Sequence, residues 1–109
     1  MNVTINIKVA DFSRSPGGRY KARSSASGEE FRDNILVPNI RKGKKVRVDL
    51  DGVRGYGSSF LEEAFGGLVR KFNWKTTAEV DNHIEVHSKT NPSWKQEVDS
   101  YMHSALSHA

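Results

Sequence analysis

Val3, Ile5, Ile7 and Val9 alternate with Thr4, Asn6 and Lys8, the two-residue period of a strand with one buried face. Val46, Val48 and Leu50 repeat that period against Lys45, Arg47 and Asp49, and Ile84 and Val86 repeat it against Glu85 and His87. Three strands of this kind describe a sheet covered on one side, since strands buried on both faces read as continuous apolar runs.

Between the strands the period changes to that of helices. Ser27, with Glu30 three residues on, has the spacing of a capping box, and Phe31 and Ile35 then share one helical face. Pro38 disfavours helical geometry at Val37, so this helix is expected to stop or kink there. Phe60, Leu61, Ala64, Phe65, Leu68, Val69 and Phe72 form a broad apolar stripe for a second helix, which Ser58 and Ser59 are placed to cap. Gly66-Gly67 inside that stripe is unfavourable to a helix and implies a close approach, most simply to the sheet. Thr76 and Glu79 form another capping box before a short helix. Asn91-Pro92 opens a last one, whose buried stripe is Trp94, Val98, Tyr101, Met102 and Ala105.

Strands separated by helices favour parallel crossovers. The expected fold is a small α/β domain across residues 1–109, of βαβαβα type, its sheet mixed or mostly parallel and its helices mainly on one face. The connection from Asp11 to Ala26, rich in Ser, Gly and basic residues, is long for so small a domain, and such loops are functional or mobile.

Charge sharpens this picture. Arg14, Arg19, Lys21 and Arg23 share the long loop with no acid among them, and Arg41, Lys42, Lys44, Lys45 and Arg47 form a second block. These blocks hold nine of the 17 basic residues against 13 acids in the whole chain, so the remainder is net acidic. Two basic patches on an acidic body suit an anionic partner, although such loops also serve solubility. There is no cysteine, hence no disulfide, thiolate metal site or cysteine nucleophile. No apolar run is long enough to span a bilayer, and the start MNVTINIKVADF lacks the pattern of a signal peptide, so a cytoplasmic protein without membrane contact is expected.

Enzyme chemistry finds little support. No catalytic triad, Walker loop or dinucleotide fingerprint is present. Asp49 and Asp51 read as a strand exit and an Asp-Gly turn. His83 and His87 could share a strand face without a third metal ligand, and His103 and His108 suit a helix end. No catalytic residue, metal or cofactor is assigned.

The strand KVRVDL, the turn DGVRGYG and the helix SSFLEEAFGGLVR resemble the strand–loop–helix unit of a STAS domain. In anti-sigma-factor antagonists, the best-known STAS proteins, the strand ends in Asp-Leu, followed by Gly-Val and by Asp-Ser-Ser-Gly at the helix start. Asp49-Leu50, Gly52-Val53 and Ser58-Ser59 hold these places, while Gly57 and Phe60 stand where the antagonists carry aspartate and glycine. The chain is more closely similar to the STAS-like family of domains of unknown function. Its Ser-Phe-x-x-Glu-x-Phe-Gly signature is matched by Ser59, Phe60, Glu63, Phe65 and Gly66, with Pro16-Gly-Gly-Arg19-Tyr20 and Ser27-Gly-Glu-Glu-Phe-Arg32 upstream.

By resemblance the protein is a bacterial, non-enzymatic regulatory module that binds a GHKL-type ATPase or kinase and switches partners on phosphorylation of Ser58 or Ser59. The expected partner or anion surface comprises Gly17, Gly18, Arg19, Tyr20, Arg23, Tyr56, Glu62 and Glu63. The alternative is a small nucleic-acid-binding protein that contacts phosphates through its two basic segments, with Tyr20 stacking on a base.

Overall fold

The computed structural model describes residues 3–106. Strand β1 (Thr4–Lys8) leads into a single helical turn, α1 (Val9–Phe12). Helix α2 covers 28–41 in three stretches, Gly28–Phe31, a wide π turn Arg32–Leu36, and Val37–Arg41. After β2 (Lys45–Asp49), α3 covers 58–72 as Ser58–Leu61, a π turn Glu62–Gly66, and Gly67–Phe72. Helix α4 (Thr77–His83), β3 (Ile84–His87) and α5 (Pro92–Ser104) complete the described chain.

The three strands lie in the order β1-β2-β3 and every pair is parallel, so the sheet is parallel throughout. Val46, Val48, Ile84 and Val86 are buried on one face, whereas Asn6 and Arg47, register partners, are exposed on the other. The helices therefore cover a single face, as the alternation predicts. Arg47 and Glu85, also register partners, form an ion pair on the open face. The strand pattern overreaches at its start: Val3 is 63% exposed, and Val9 reaches the core from α1 rather than from the strand.

The core is built mainly on α3. Phe60, Leu61, Ala64, Phe65, Leu68 and Val69 are all fully buried, and they pack with Phe31, Leu36, Val98 and the inner sheet residues. The N-cap half of each capping box forms: Ser27 Oγ accepts from Glu30 N at 3.1 Å, and Thr76 Oγ1 from Glu79 N at 3.1 Å, while Glu79 Oε1 accepts from Lys75 N at 3.2 Å. Asn91 Oδ1 accepts from Ser93 N at 3.2 Å at the start of α5.

Pro38 does not end α2. Val37 stays helical (φ −59°, ψ −47°), and the helix runs one further turn to Arg41. A proline lacks an N–H and its ring crowds the preceding turn. The wide turn just before it, where Val37 N–H bonds Arg32 O five residues back, loosens the register at the place of conflict. Asn39 Nδ2 also donates to Ile35 O at 2.8 Å, which satisfies a carbonyl near the irregularity.

The first turn of α2 rests directly on the backbone of α3. A Cβ at Gly28 would stand 2.5 Å from Phe60 O and 3.1 Å from Ala64 N. By propensity alone Gly28→Ala should stabilise a helix. Here it is expected to destabilise the protein by about 1–3 kcal/mol, since the two helices must move apart. Chemical denaturation measures this, and a variant as stable as the parent would show that the contact is not limiting.

Candidate functional site

The loop at the carboxyl end of β2 is fixed by Asp51. Its carboxylate accepts from Ser88 Oγ (2.6 Å), Lys89 N (2.8 Å), Thr90 N (3.3 Å) and Thr90 Oγ1 (2.8 Å). Burial pushes the Asp51 pKa up, but these hydrogen bonds outweigh it and lower it from 3.8 to about 2. Asp49 Oδ1 accepts from Asp51 N at 2.8 Å, and Gly52 takes a left-handed conformation (φ +88°). The two aspartates thus shape a strand exit and a turn, and Asp51 ties that turn to the β3–α5 connection.

Tyr56 turns inward from this loop. Its hydroxyl donates to Leu50 O at 2.7 Å, its ring stacks on Phe60 at 5.9 Å, and the edge of Trp94 meets it at 4.8 Å. Burial, reinforced by the Asp49 and Asp51 charges, raises its pKa well above the ordinary phenol range. This packing aims the following residues into α3. The N-cap of α3 is Gly57 (φ −80°, ψ 146°), not a serine, and no side-chain oxygen caps the helix. Ser58 and Ser59, expected to cap, instead occupy its first two positions with exposed side chains. The Tyr101 phenol is raised by its hydrogen bond to Glu97 and by burial, while the Ser58 hydroxyl nearby pulls it the other way.

One turn into α3 lies a charged network that joins the long loop, α2 and α3. Arg19 Nη1 donates to Glu62 Oε1 at 2.6 Å and Glu63 Oε1 at 3.2 Å. Glu62 also receives Arg70 at 2.7 and 3.1 Å, and Glu63 pairs through its other oxygen with Arg32. Arg32 in turn donates to Glu63 O (3.3 Å) and Asp33 Oδ1 (2.8 Å), and Asp33 pairs with Lys71 (3.3 Å) and Lys21 (3.8 Å). The Arg70 hydrogen bond, against a smaller opposing effect of burial, lowers the Glu62 pKa; the Arg32 hydrogen bond does the same for Asp33. Glu63 is 8% exposed and Arg32 has little exposed side chain, so this pair lies inside the protein.

Gly66 and Gly67 make room for that network. A Cβ at Gly66 would collide with the Glu62 carboxylate, and one at Gly67 would stand 2.5 Å from Arg32 Nη1 and 3.0 Å from Glu63 Oε2. The close approach read from the two glycines is therefore to ionic side chains and not to the sheet.

The loop itself is closed by backbone bonds. Gly17 N donates to Ala26 O, Gly28 N to Gly18 O, and Glu29 N to Arg19 O. Gly17 thus directs its N–H into the loop and not toward an anion. Gly18 (φ +80°) lies so close to Ser24 that a Cβ there would strike its hydroxyl. Lys21 N donates to Glu29 Oε1 at 2.9 Å, which leaves Tyr20 (50% exposed) and Arg23 outward at the loop tip.

Of the expected surface, Arg19, Glu62 and Glu63 are brought together, Tyr20 and Arg23 belong to the same loop as Arg19, and Tyr56 is packed inward against Phe60 and Trp94. Sequence reasoning passed over Arg32, Asp33, Arg70 and Lys71. The only trace of them was Arg32 within SGEEFR and the glycines opposite it. His83 and His87 do not share a strand face, because His83 closes α4 and stacks on Trp74 at 4.7 Å. His103 lies in the last turn of α5, and His108 is outside the described residues. Among the described residues no cluster of three metal-binding side chains forms, and no helix is long and apolar enough to cross a membrane. A groove of about 250 Å³ lies elsewhere, between α4, β3 and α5, lined by Val80, Ile84, Met102 and Leu106 with Asp81 and Lys95 at its rim.

Two outcomes follow. Glu63→Ala leaves a buried guanidinium short of a partner and is expected to cost about 2–4 kcal/mol, whereas Glu62→Ala, nearer the surface, should cost at most about 1 kcal/mol. Denaturant titration of both variants tests the contrast, and equal losses would contradict it. The Asp51 carboxyl has a folded pKa below its unfolded value, so its stabilising contribution is full above about pH 4 and is lost as pH falls toward 2. Asp51→Asn should therefore flatten the acid limb of a stability–pH curve, and an unchanged limb would count against the assignment.

The profile of the STAS-like domain of unknown function (DUF4325) matches residues 27–94, which is well over half of the chain. No curated protein matches the chain, and no solved structure does. The matched stretch begins at the Ser27 cap and ends at Trp94 beside Tyr56, so it contains α2, β2, α3, α4 and β3 and both members of the Arg32–Glu63 pair. The chain belongs to the family of STAS-like domains of unknown function.

Proposed function

We propose that this domain is a non-enzymatic interaction module, with the start of α3 and the loop pinned by Arg19 as its docking surface and a GHKL-type ATPase as its partner. One observation carries the reading: Ser58 and Ser59 are exposed in the first turn of a long helix and neither has a capping role there. A hydroxyl without a capping task, set where free N–H groups and the helix dipole favour negative charge, suits phosphorylation.

The surroundings support a switch. Ser58 lies four residues before Glu62, and Ser59 three before it, so a phosphate on either faces that carboxylate along the helix. Glu62 holds Arg19, and Arg19 holds the loop that presents Tyr20 and Arg23. A doubly charged phosphate would repel Glu62 and compete for Arg19, shifting the loop relative to α3. Tyrosine and arginine on an ordered loop are the side chains that most often anchor protein interfaces.

The test is to mix the purified domain with an ATPase encoded beside it and with ATP. A stable complex and a mass gain of about 80 Da, one phosphate group, at Ser58 or Ser59 are expected. Ser58→Ala with Ser59→Ala should abolish the gain and leave the complex intact. Neither complex nor mass gain would sink the reading.

A further inference from the structure

We infer that the turn closing α2, with Arg41, Lys42, Lys44 and Lys45, is a contact surface for the phosphodiester backbone of nucleic acid, independent of the α3 docking surface. The fold treats the two basic segments of the chain differently. In the long loop, Arg19 and Lys21 are engaged by Glu62, Glu63 and Asp33. In the second segment Arg47 pairs with Glu85, but Arg41, Lys42, Lys44 and Lys45 have no carboxylate partner among the described residues.

These four cations stand on a rigid turn. Gly43 (φ +82°) donates its N–H to Ile40 O at 2.9 Å, Lys44 N to Asn39 O at 3.2 Å, and Lys45 N to Val3 O at 2.9 Å. Lys45 begins β2 beside Thr4, so the cationic turn continues onto the open face of the sheet along Thr4, Asn6 and Lys8. That column carries hydroxyl, amide and ammonium groups, and the first carboxylate beside it is that of Asp49, the register partner of Lys8 at the far end of the strand. Five strand residues extend it by about 13 Å, which is roughly four nucleotide rises along one strand.

The chemistry favours a phosphate backbone over other polyanions. Aromatic side chains are among the commonest anchors of a protein interface, and an inserting apolar side chain strengthens attachment to an anionic membrane. Among the described residues Val3 is the one large exposed hydrophobic side chain near this turn, and exposed Tyr20 belongs to the opposite end of α2, about 20 Å of helix away. Binding should therefore be electrostatic and indifferent to base sequence.

Fluorescence anisotropy with a duplex of about 20 bp tests this, and a plot of log Kobs against log salt should fall with a slope of about −3 to −4 for four contacts. Lys42→Ala, Lys44→Ala and Lys45→Ala together should reduce the slope to about −1 and weaken low-salt binding at least about tenfold. Arg14→Ala with Arg23→Ala should leave both unchanged, and a scrambled duplex should bind equally. If the triple variant loses its cooperative thermal transition, Lys42→Ala and Lys44→Ala singly should each remove about one unit of slope. Absence of salt-dependent binding, a slope carried by the loop variant instead, or tighter binding to phosphatidylserine vesicles than to the duplex would overturn the inference. A complex with an ATPase bears on the α3 surface alone and leaves this result unaffected.

Discussion

A buried carboxylate holds three parts of this molecule in one arrangement. Glu63 points into a space where water is scarce, so its charge must be met by protein groups, and Arg32 from α2 and Arg19 from the long loop meet it. The pair forms only if α2 and α3 run close together, and two features of the sequence permit that. Gly28 lets the backbones touch, and Gly66-Gly67 clears the volume that the carboxylates and guanidinium occupy. Substituting any of these residues removes a condition that the others require.

The same arrangement assigns the charges. A segment that looks freely basic in the chain, Arg19 to Arg23, is half neutralised once folded, because Arg19 and Lys21 reach acids on α2 and α3. Among the described residues no carboxylate pairs with Arg41, Lys42, Lys44 or Lys45, at the end of α2 and the start of β2. The fold thus neutralises part of one basic segment and leaves most of the other unpaired among the described residues, which composition does not show.

Much of the architecture was legible in the alternation of residues. The strands, the single covered face and the caps at Ser27, Thr76 and Asn91 follow from local periods and local hydrogen bonds. Pro38 disturbs the helix without stopping it, because proline's conflict with a helix can be relieved upstream, by a π turn whose hydrogen bond spans five residues. The serines at 58 and 59 misled by one position, since Gly57 supplies the extended geometry of a cap without any side chain. The charged network was the hardest to read. Its members come from the long loop (Arg19), α2 (Arg32) and α3 (Glu63 and Arg70), and no local period joins the three segments. Arg19, Glu62 and Glu63 were legible as a surface, but their partners Arg32 and Arg70 were not, and the two adjacent glycines signalled a close approach without saying to what.

The aromatic packing has a practical side. The chain has two tryptophans, and the fold parts them. Trp94 meets Tyr56 under the entrance to α3, whereas Trp74 is stacked between Phe72 and His83 just beyond that helix's far end. One indole therefore senses the surroundings of the exposed serines, and the other senses the seat of α4. The protein carries its own pair of optical probes, one for each end of its central helix.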